Sequence, residues 1–175
     1  MDILIETPRL LMREFCLDDV DAVFEFSTNP EVMRYTGDVG AVNTKKDAEN
    51  LIVNCWQAEY KKYGYSRYAL IHKEDDKVIG FCGVKYEPDL NCPDIGYRML
   101  PEYWGNGLAT EAVKATLEYA INTLGLTKVI GEVLVEHPAS GNVLLKSGLR
   151  KVDTYEKDGF ILNRCQVPHD YKVAF

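Results

Sequence analysis

The apolar positions of the chain change period several times, and each change predicts an element. Residues 9–15 read as a first strand after the turn signal Thr7-Pro8. From there Val20, Val23 and Phe24 fall at helical spacing behind Asp18, a residue suited to cap a helix. Asn29-Pro30 ends that helix and opens a short helical turn through Val32 and Met33. Thr44 with Asp47 forms a capping-box start, and Ala48, Leu51, Ile52, Cys55, Trp56 and Tyr60 mark an amphipathic helix that Gly64 closes.

The centre is β-rich. Residues 67–72 and 78–86 flank the polar turn Lys73 to Lys77 and predict a hairpin, and Asp94 to Leu100 predicts a further strand with Gly96 inside it. An internal glycine of this kind marks a bulge or a close approach of backbone to a ligand. The strongest pattern follows: Ala109, Ala112, Val113, Leu117, Ala120, Ile121 and Leu124 repeat at helical spacing as far as Gly125. A strand over 127–136 with Val129, Val133 and Val135 on one face comes next, then a short helix from Pro138 to Ser147 ended by Gly148. Two last strands, 150–156 and 160–167, flank the hairpin turn at Asp158-Gly159. This order predicts a mixed α/β fold around one sheet, with residues 1–175 as a single domain.

Composition narrows the function classes. Of 175 residues, 46% are hydrophobic and 27% charged, which excludes intrinsic disorder and collagen-like structure. The net charge of −7 attracts neither nucleic-acid phosphate nor anionic lipid, and no apolar stretch approaches membrane-spanning length. Five scattered cysteines without a CxxC pair predict reduced thiols in a cytoplasmic protein, not disulfides or a zinc site. No metal site is expected.

The segment that carries chemistry is Tyr103-Trp104-Gly105-Asn106-Gly107-Leu108-Ala109-Thr110-Glu111-Ala112, between a strand and the main helix. Two glycines one residue apart, with alanine in the first turn, let several backbone N–H groups converge on an anion the size of a pyrophosphate. The spacing is not a Rossmann fingerprint, because Thr110 stands where a third small residue is needed, and it lacks the Gly-Lys-Ser/Thr of a Walker loop. On spacing alone, a glycine-rich helix start without a ligand is an equal reading.

The same stretch resembles the coenzyme A motif of the GNAT superfamily of N-acetyltransferases, Gln/Arg-x-x-Gly-x-Gly/Ala, with Trp104, Gly107 and Ala109 at its fixed positions and tryptophan as a departure. Its Gly-x-Gly-x-Ala-Thr-Glu-Ala form is similar to the Rim-type branch, named for acetyltransferases of ribosomal-protein N-termini. Thr7-Pro8-Arg9-Leu10 with Arg13, Asn29 to Tyr35, Ile79 to Gly83 and Asp94 to Tyr97 match in the same order along the chain. A second motif, Asn-x-x-Ser-x-Arg-x-Leu-x-Lys-x-Gly-Phe, is matched by His137 to Leu149, which keeps Ser140, Leu144, Lys146 and Gly148. It departs at His137, Asn142 and Leu149.

The resemblance implies a GNAT fold: a central, mostly antiparallel sheet with helices on both faces, whose fourth and fifth strands splay apart to hold the pantetheine arm. It implies acetyl-CoA as co-substrate, held by Met99 and Leu100 in the splay, by Trp104, Gly105, Asn106, Gly107, Leu108, Ala109 and Thr110 in the loop, and by His137 and Asn142. The reaction implied is direct attack of a primary amine on the thioester in a ternary complex. The amine must lose a proton, the tetrahedral oxyanion needs backbone donors, and the leaving thiolate needs an acid. Leu144 occupies the place where many members carry a tyrosine acid, so Ser140 becomes the candidate for assisting thiolate departure; a first-turn serine serving the backbone is its equal alternative. Asp94 is the candidate base, against the reading of a strand-end aspartate; His137 is a second, against the reading of a helix-start residue beside the coenzyme.

The acceptor pocket is expected between the N-terminal helices and the last hairpin, with Tyr35, Trp56, Tyr97 and Phe160 as candidate walls, core being the favoured reading for Trp56, and Glu31, Asp38 and Asp158 as candidate attractors of a cationic amine, against the ordinary reading of solvated loop carboxylates. The acceptor is a peptide N-terminus or a small-molecule amine. The departures in the second motif keep open a coenzyme A-binding module without turnover. Homodimers are common for such domains, but no sequence feature specifies one.

Overall fold

The computed structural model describes residues 1–172. A two-residue strand β1 (Ile5–Glu6) precedes β2 (Leu10–Arg13). Helices α1 (Val20–Thr28), α2 (Pro30–Met33) and α3 (Lys45–Asn50) follow, the last continuing through a wide-turn π-helical stretch, Leu51–Gln57, into α4 (Ala58–Tyr63). Then come β3 (Arg67–His72), β4 (Lys77–Glu87), β5 (Cys92–Met99), α5 (Leu108–Asn122), β6 (Ile130–Leu134), α6 (Pro138–Lys146), β7 (Arg150–Lys157) and β8 (Phe160–Gln166). One eight-stranded sheet forms in the order β1-β2-β3-β4-β5-β6-β8-β7.

Every pairing is antiparallel except β5 with β6, and that parallel pair is joined only at Asp94 opposite Ile130. Because β1 adds a strand at the front, β5 and β6 are the expected fourth and fifth strands. Beyond Asp94 they separate.

Adjacent residues of β4 show how the helices flank this sheet, since neighbours on a strand point to opposite faces. Phe81 packs edge-on against Phe26 of α1 and Trp56 of the π stretch. Cys82 lies 3.2 Å from the Thr116 hydroxyl of α5, on the other side. Helices therefore cover both faces.

Local signals account for most boundaries. Thr44 and Asp47 form the expected reciprocal box. Asn29 accepts from the N–H groups of Glu31 and Val32, and Gly64 (φ 83°) ends α4. Ala48, Ile52, Trp56 and Tyr60 are all buried at a strict four-residue spacing. On an α-helix such a row drifts by about 40° per step. The wider turns of Leu51–Gln57 take up that drift and keep the row against the sheet.

Three expectations are corrected. The residue closing the turn before α1 is Asp19, not Asp18: its carboxylate accepts from the Cys16 N–H (2.9 Å) and from both terminal nitrogens of Arg13 (2.7 and 2.8 Å). The strand expected over 127–136 narrows to Ile130–Leu134, leaving Val135 exposed. Gly96 makes no bulge, because β5 keeps an unbroken register with β4. A Cβ at Gly96 would lie 2.7 Å from the Arg67 guanidinium. The glycine is there to let that arginine lie flat on the sheet.

Candidate active site

After β5 the chain makes a 3₁₀ turn, Pro101–Tyr103, and reaches Trp104 in extended conformation. Gly105 and Gly107 then adopt φ 77° and 78°, left-handed backbone that a side-chain-bearing residue enters at a cost of about 1–3 kcal/mol. A Cβ on Gly105 would meet nothing within 4 Å, and one on Gly107 only Arg9, at 3.7 Å. These glycines serve backbone conformation and an open surface rather than packing. Gly107 caps α5 without any side-chain acceptor, so the N–H groups of Leu108, Ala109 and Thr110 open the helix with its positive dipole end.

This loop is braced from the far end of the sequence. Arg9 donates through Nε to Glu111 (2.7 Å) and through Nη1 to the Asn106 carbonyl (2.8 Å). The Arg9 N–H and the Thr7 hydroxyl also donate to Glu111, at 3.0 and 2.7 Å. Burial works to raise the Glu111 pKa, but these donors together hold it below its ordinary value. The Thr7-Pro8-Arg9-Leu10 motif thus fixes the glycine loop and neutralises the one carboxylate in the first turn of α5.

The loop sits beside the β5–β6 gap. The Leu100 N–H bonds to Ile79 of β4 (2.9 Å), so in the alternation of an antiparallel strand the peptide groups of Tyr97 and Met99 face the other way, into the gap. Of the two residues expected to lend backbone groups there, Met99 faces the gap and Leu100 is turned to β4. Trp104, 46% exposed, donates its indole N–H to the Met99 carbonyl (2.8 Å) and ties the loop to the end of β5.

On the α6 side of the gap the Tyr97 hydroxyl donates to Ser140 Oγ (3.2 Å), which lies 3.0 Å from His137 Nδ1. The His137 ring stacks on Tyr35 at 4.3 Å between centroids. Burial lowers the His137 pKa from its ordinary 6.5, so the ring is neutral at pH 7. Burial raises the Tyr97 pKa, opposed by its bond to Ser140, and keeps the phenol protonated. With Tyr97 as donor, Ser140 keeps its own hydrogen, which His137 Nδ1 accepts in the tautomer that leaves that nitrogen bare. Sequence reasoning placed Tyr97 in a pocket wall and missed this pairing; its signal was the tyrosine one step from Gly96 on the strand that borders the gap. Leu144 is buried against Gly131 and Ile95, and Asn142 is exposed on α6.

Asp94 faces the opposite side of β5 from Tyr97, three residues away. Its Oδ2 pairs with Arg67 Nη2 at 2.9 Å, while Arg67 Nη1 donates to the carbonyls of Gly83 (2.6 Å) and Asp94 (2.7 Å). Burial outweighs the arginine and pushes the Asp94 carboxyl from 3.8 up to about 6. The candidate base and the candidate acid are therefore separated by the strand rather than adjacent.

The candidate pocket walls divide, and the favoured core reading of Trp56 holds. Trp56 is core, stacked on Phe15 at 4.2 Å. Phe160 and Asp158 belong to the exposed end of the last hairpin, where Asp158 takes φ 53° in the turn. Asp38 pairs with Arg98 of β5 at 2.6 Å, and Tyr35 covers His137. Among the described residues no helix is long and apolar enough to cross a membrane, and no cluster of three or more His, Cys, Asp or Glu could hold a metal ion.

Comparison with known proteins shows the family of the chain. Residues 9–150 match the family model of the acetyltransferase (GNAT) domain. The chain is 29% identical over 151 residues to the uncharacterised N-acetyltransferase YoaA of Bacillus subtilis, covering 85% of this chain and 83% of that one. Its fold is similar to that of a GNAT-family acetyltransferase from Bacillus anthracis (TM-score 0.81, 24% identity, 95% and 99% of the two chains). It is similar also to that of RimL, a ribosomal-protein alpha-N-acetyltransferase solved with coenzyme A (TM-score 0.81, 14% identity, 97% and 100%). The chain belongs to the GNAT acetyltransferase family.

Proposed function

We propose that the protein moves the acetyl group of acetyl-CoA to a primary amine by direct attack in a ternary complex, with residues 1–175 acting as one domain in the cytoplasm. The observation that carries this reading is the braced Gly105–Gly107 loop opening beside an unpaired strand gap that holds a hydroxyl. Five free cysteines suit a reducing compartment.

Acetyl-CoA supplies an activated thioester, from which the amine takes the acetyl group as free thiol is released. The residues present fit it: the first-turn N–H groups of α5 suit its pyrophosphate, and the gap suits its extended arm. Within the gap the N–H groups of Tyr97 and Met99 are the donors available to an oxyanion. Ser140 gives its proton to the departing sulfur, and Tyr97 holds Ser140 oriented. Replacing Ser140 by alanine is expected to lower kcat about 100-fold, the lower end of general-acid contributions, with acetyl-CoA affinity unchanged. Steady-state kinetics beside calorimetric titration checks this, and an unaltered kcat removes Ser140 from the mechanism.

Asp94 takes the amine proton through water, from its own face of β5. Its carboxyl titrates at about 6, so activity should rise with pH through that region as the base ionises. In Asp94→Asn this acidic limb should vanish from the pH profile of kcat/KM. A limb that persists in the variant assigns the base elsewhere.

The encompassing test is titration with acetyl-CoA, with ATP and NAD as controls, followed by thiol release against amines of both acceptor kinds, peptide N-termini and small molecules. Selective binding with release supports transfer. Selective binding without release leaves a coenzyme-binding module.

A further inference from the structure

A cavity of about 300 Å³ lies between the N-terminal helices and β5, on the face of the sheet that carries Asp94 and Arg98. The buried Ser27 of α1 and the largely covered Arg98 of β5 line it, while Asp38, Asn50 and Asn54 are exposed lining residues. The hairpin β7–β8, expected to share in the acceptor pocket, contributes no lining residue. Arg98 lies between Tyr97 and Met99, so the cavity is lined from the same stretch of β5 whose peptide groups face the β5–β6 gap.

The polar groups of this cavity are unevenly satisfied. The charges of Asp38 and Arg98 are spent on each other at 2.6 Å, and the Asp47 carboxylate accepts from the N–H groups of Asn43 and Thr44. Ser27 differs: it is 3% exposed, and its Oγ has no hydrogen-bond partner among the described residues. Buried hydroxyls are ordinarily paired, so an orphan lining a cavity marks a place where a ligand group belongs. Asn50 and Asn54 are four residues apart, about half a turn round the helix from its buried row. Asn50 ends α3 and Asn54 lies in the π-helical stretch, so the junction of the two places both amides on one side of the helix.

We propose that this cavity is the acceptor site and that it takes a small primary amine whose body bears hydroxyl or amide groups, which pair with Ser27, Asn50 and Asn54. The inference rests on the acetyl-transfer reading and specifies its acceptor. With both lining carboxylates already engaged, nothing in the cavity selects a polycation. Its volume, at the lower end for ligand pockets, admits one residue-sized molecule rather than a length of peptide.

The test compares L-serinamide and glucosamine with n-butylamine and spermidine as acceptors, by thiol release from acetyl-CoA. At least one of the first pair should exceed both of the second tenfold in kcat/KM. Ser27→Ala and Asn54→Leu should each raise that acceptor's KM at least tenfold and leave acetyl-CoA affinity unchanged. Preference for spermidine or n-butylamine, or an unmoved KM in both variants, overturns the proposal. A thermal shift given by the preferred amine without coenzyme reads the cavity independently of turnover. A shift in the wild type that Ser27→Ala loses upholds the cavity as a ligand site even if acetyl-CoA fails to bind and the transfer reading falls. Absence of any shift together with absence of turnover overturns both.

Discussion

Gly107→Val is expected to weaken acetyl-CoA binding at least 100-fold while the protein remains folded. At φ 78° a β-branched residue is strained by about 1–3 kcal/mol, a tolerable share of a stability of about 5–15 kcal/mol. The space around Gly107 is open, so the fold loses little else. The consequence for binding is larger. The chain relieves its strain by rotating the cap away from φ 78°, which turns the N–H groups of Leu108 and Ala109 off their common target, and the new side chain stands over the helix start. Calorimetric titration with acetyl-CoA beside thermal unfolding separates the effects; undiminished affinity in a folded variant would remove the anion-site assignment.

Arg67→Met should produce the largest loss of stability, about 3–5 kcal/mol at pH 8, because it strands the buried Asp94 carboxylate. The loss depends on pH in a definite direction. The folded-state pKa of Asp94, about 6, already lies above its ordinary 3.8, so the folded protein holds this proton more tightly than the unfolded chain does. Ionisation therefore reduces stability as pH rises from about 4 to 6, and the reduction is complete above that. Without the arginine the carboxyl is pushed up further, so the penalty grows towards neutral pH. Urea unfolding should show a much smaller deficit at pH 5 than at pH 8, and Asp94→Asn in the same background should recover part of the deficit at pH 8. Equal deficits at both pH values would mean that lost packing over Phe81, not charge, dominates.

How much of this was legible in the chain depends on sequence distance. Asp158-Gly159, the Thr44–Asp47 box, Gly64 and the Gly105–Gly107 loop were readable because each is decided by backbone conformation within four residues. The Arg67–Asp94 pair spans 27 positions and the Arg9–Glu111 brace 102, and no local pattern reports either. Gly96 shows the limit plainly. Its presence in a strand was visible, but the reason for it is an arginine on a strand two places over. Ser140 was named from its motif, whereas its donor Tyr97 emerged only when register showed which face of β5 borders α6. The π-helical stretch was foreshadowed by the four-residue spacing of Ala48, Ile52, Trp56 and Tyr60, a departure from 3.6 that was read as ordinary helix.

The single backbone pair at Asp94 and Ile130 has a mechanical meaning. The sheet is two plates, β1 to β5 and β6-β8-β7, hinged on one ladder rung. Relative rotation of the plates about that rung breaks no further interstrand pairing between them; side chains span the gap instead, Tyr97 to Ser140 and Tyr35 to His137. The polypeptide crosses between the plates only through α5 and its flanking loops, and the segment that meets α5 first is the glycine loop held by Arg9. Any hinge motion is thus transmitted along the same helix whose N-terminus carries the glycine loop, and loop position and aperture become coupled quantities.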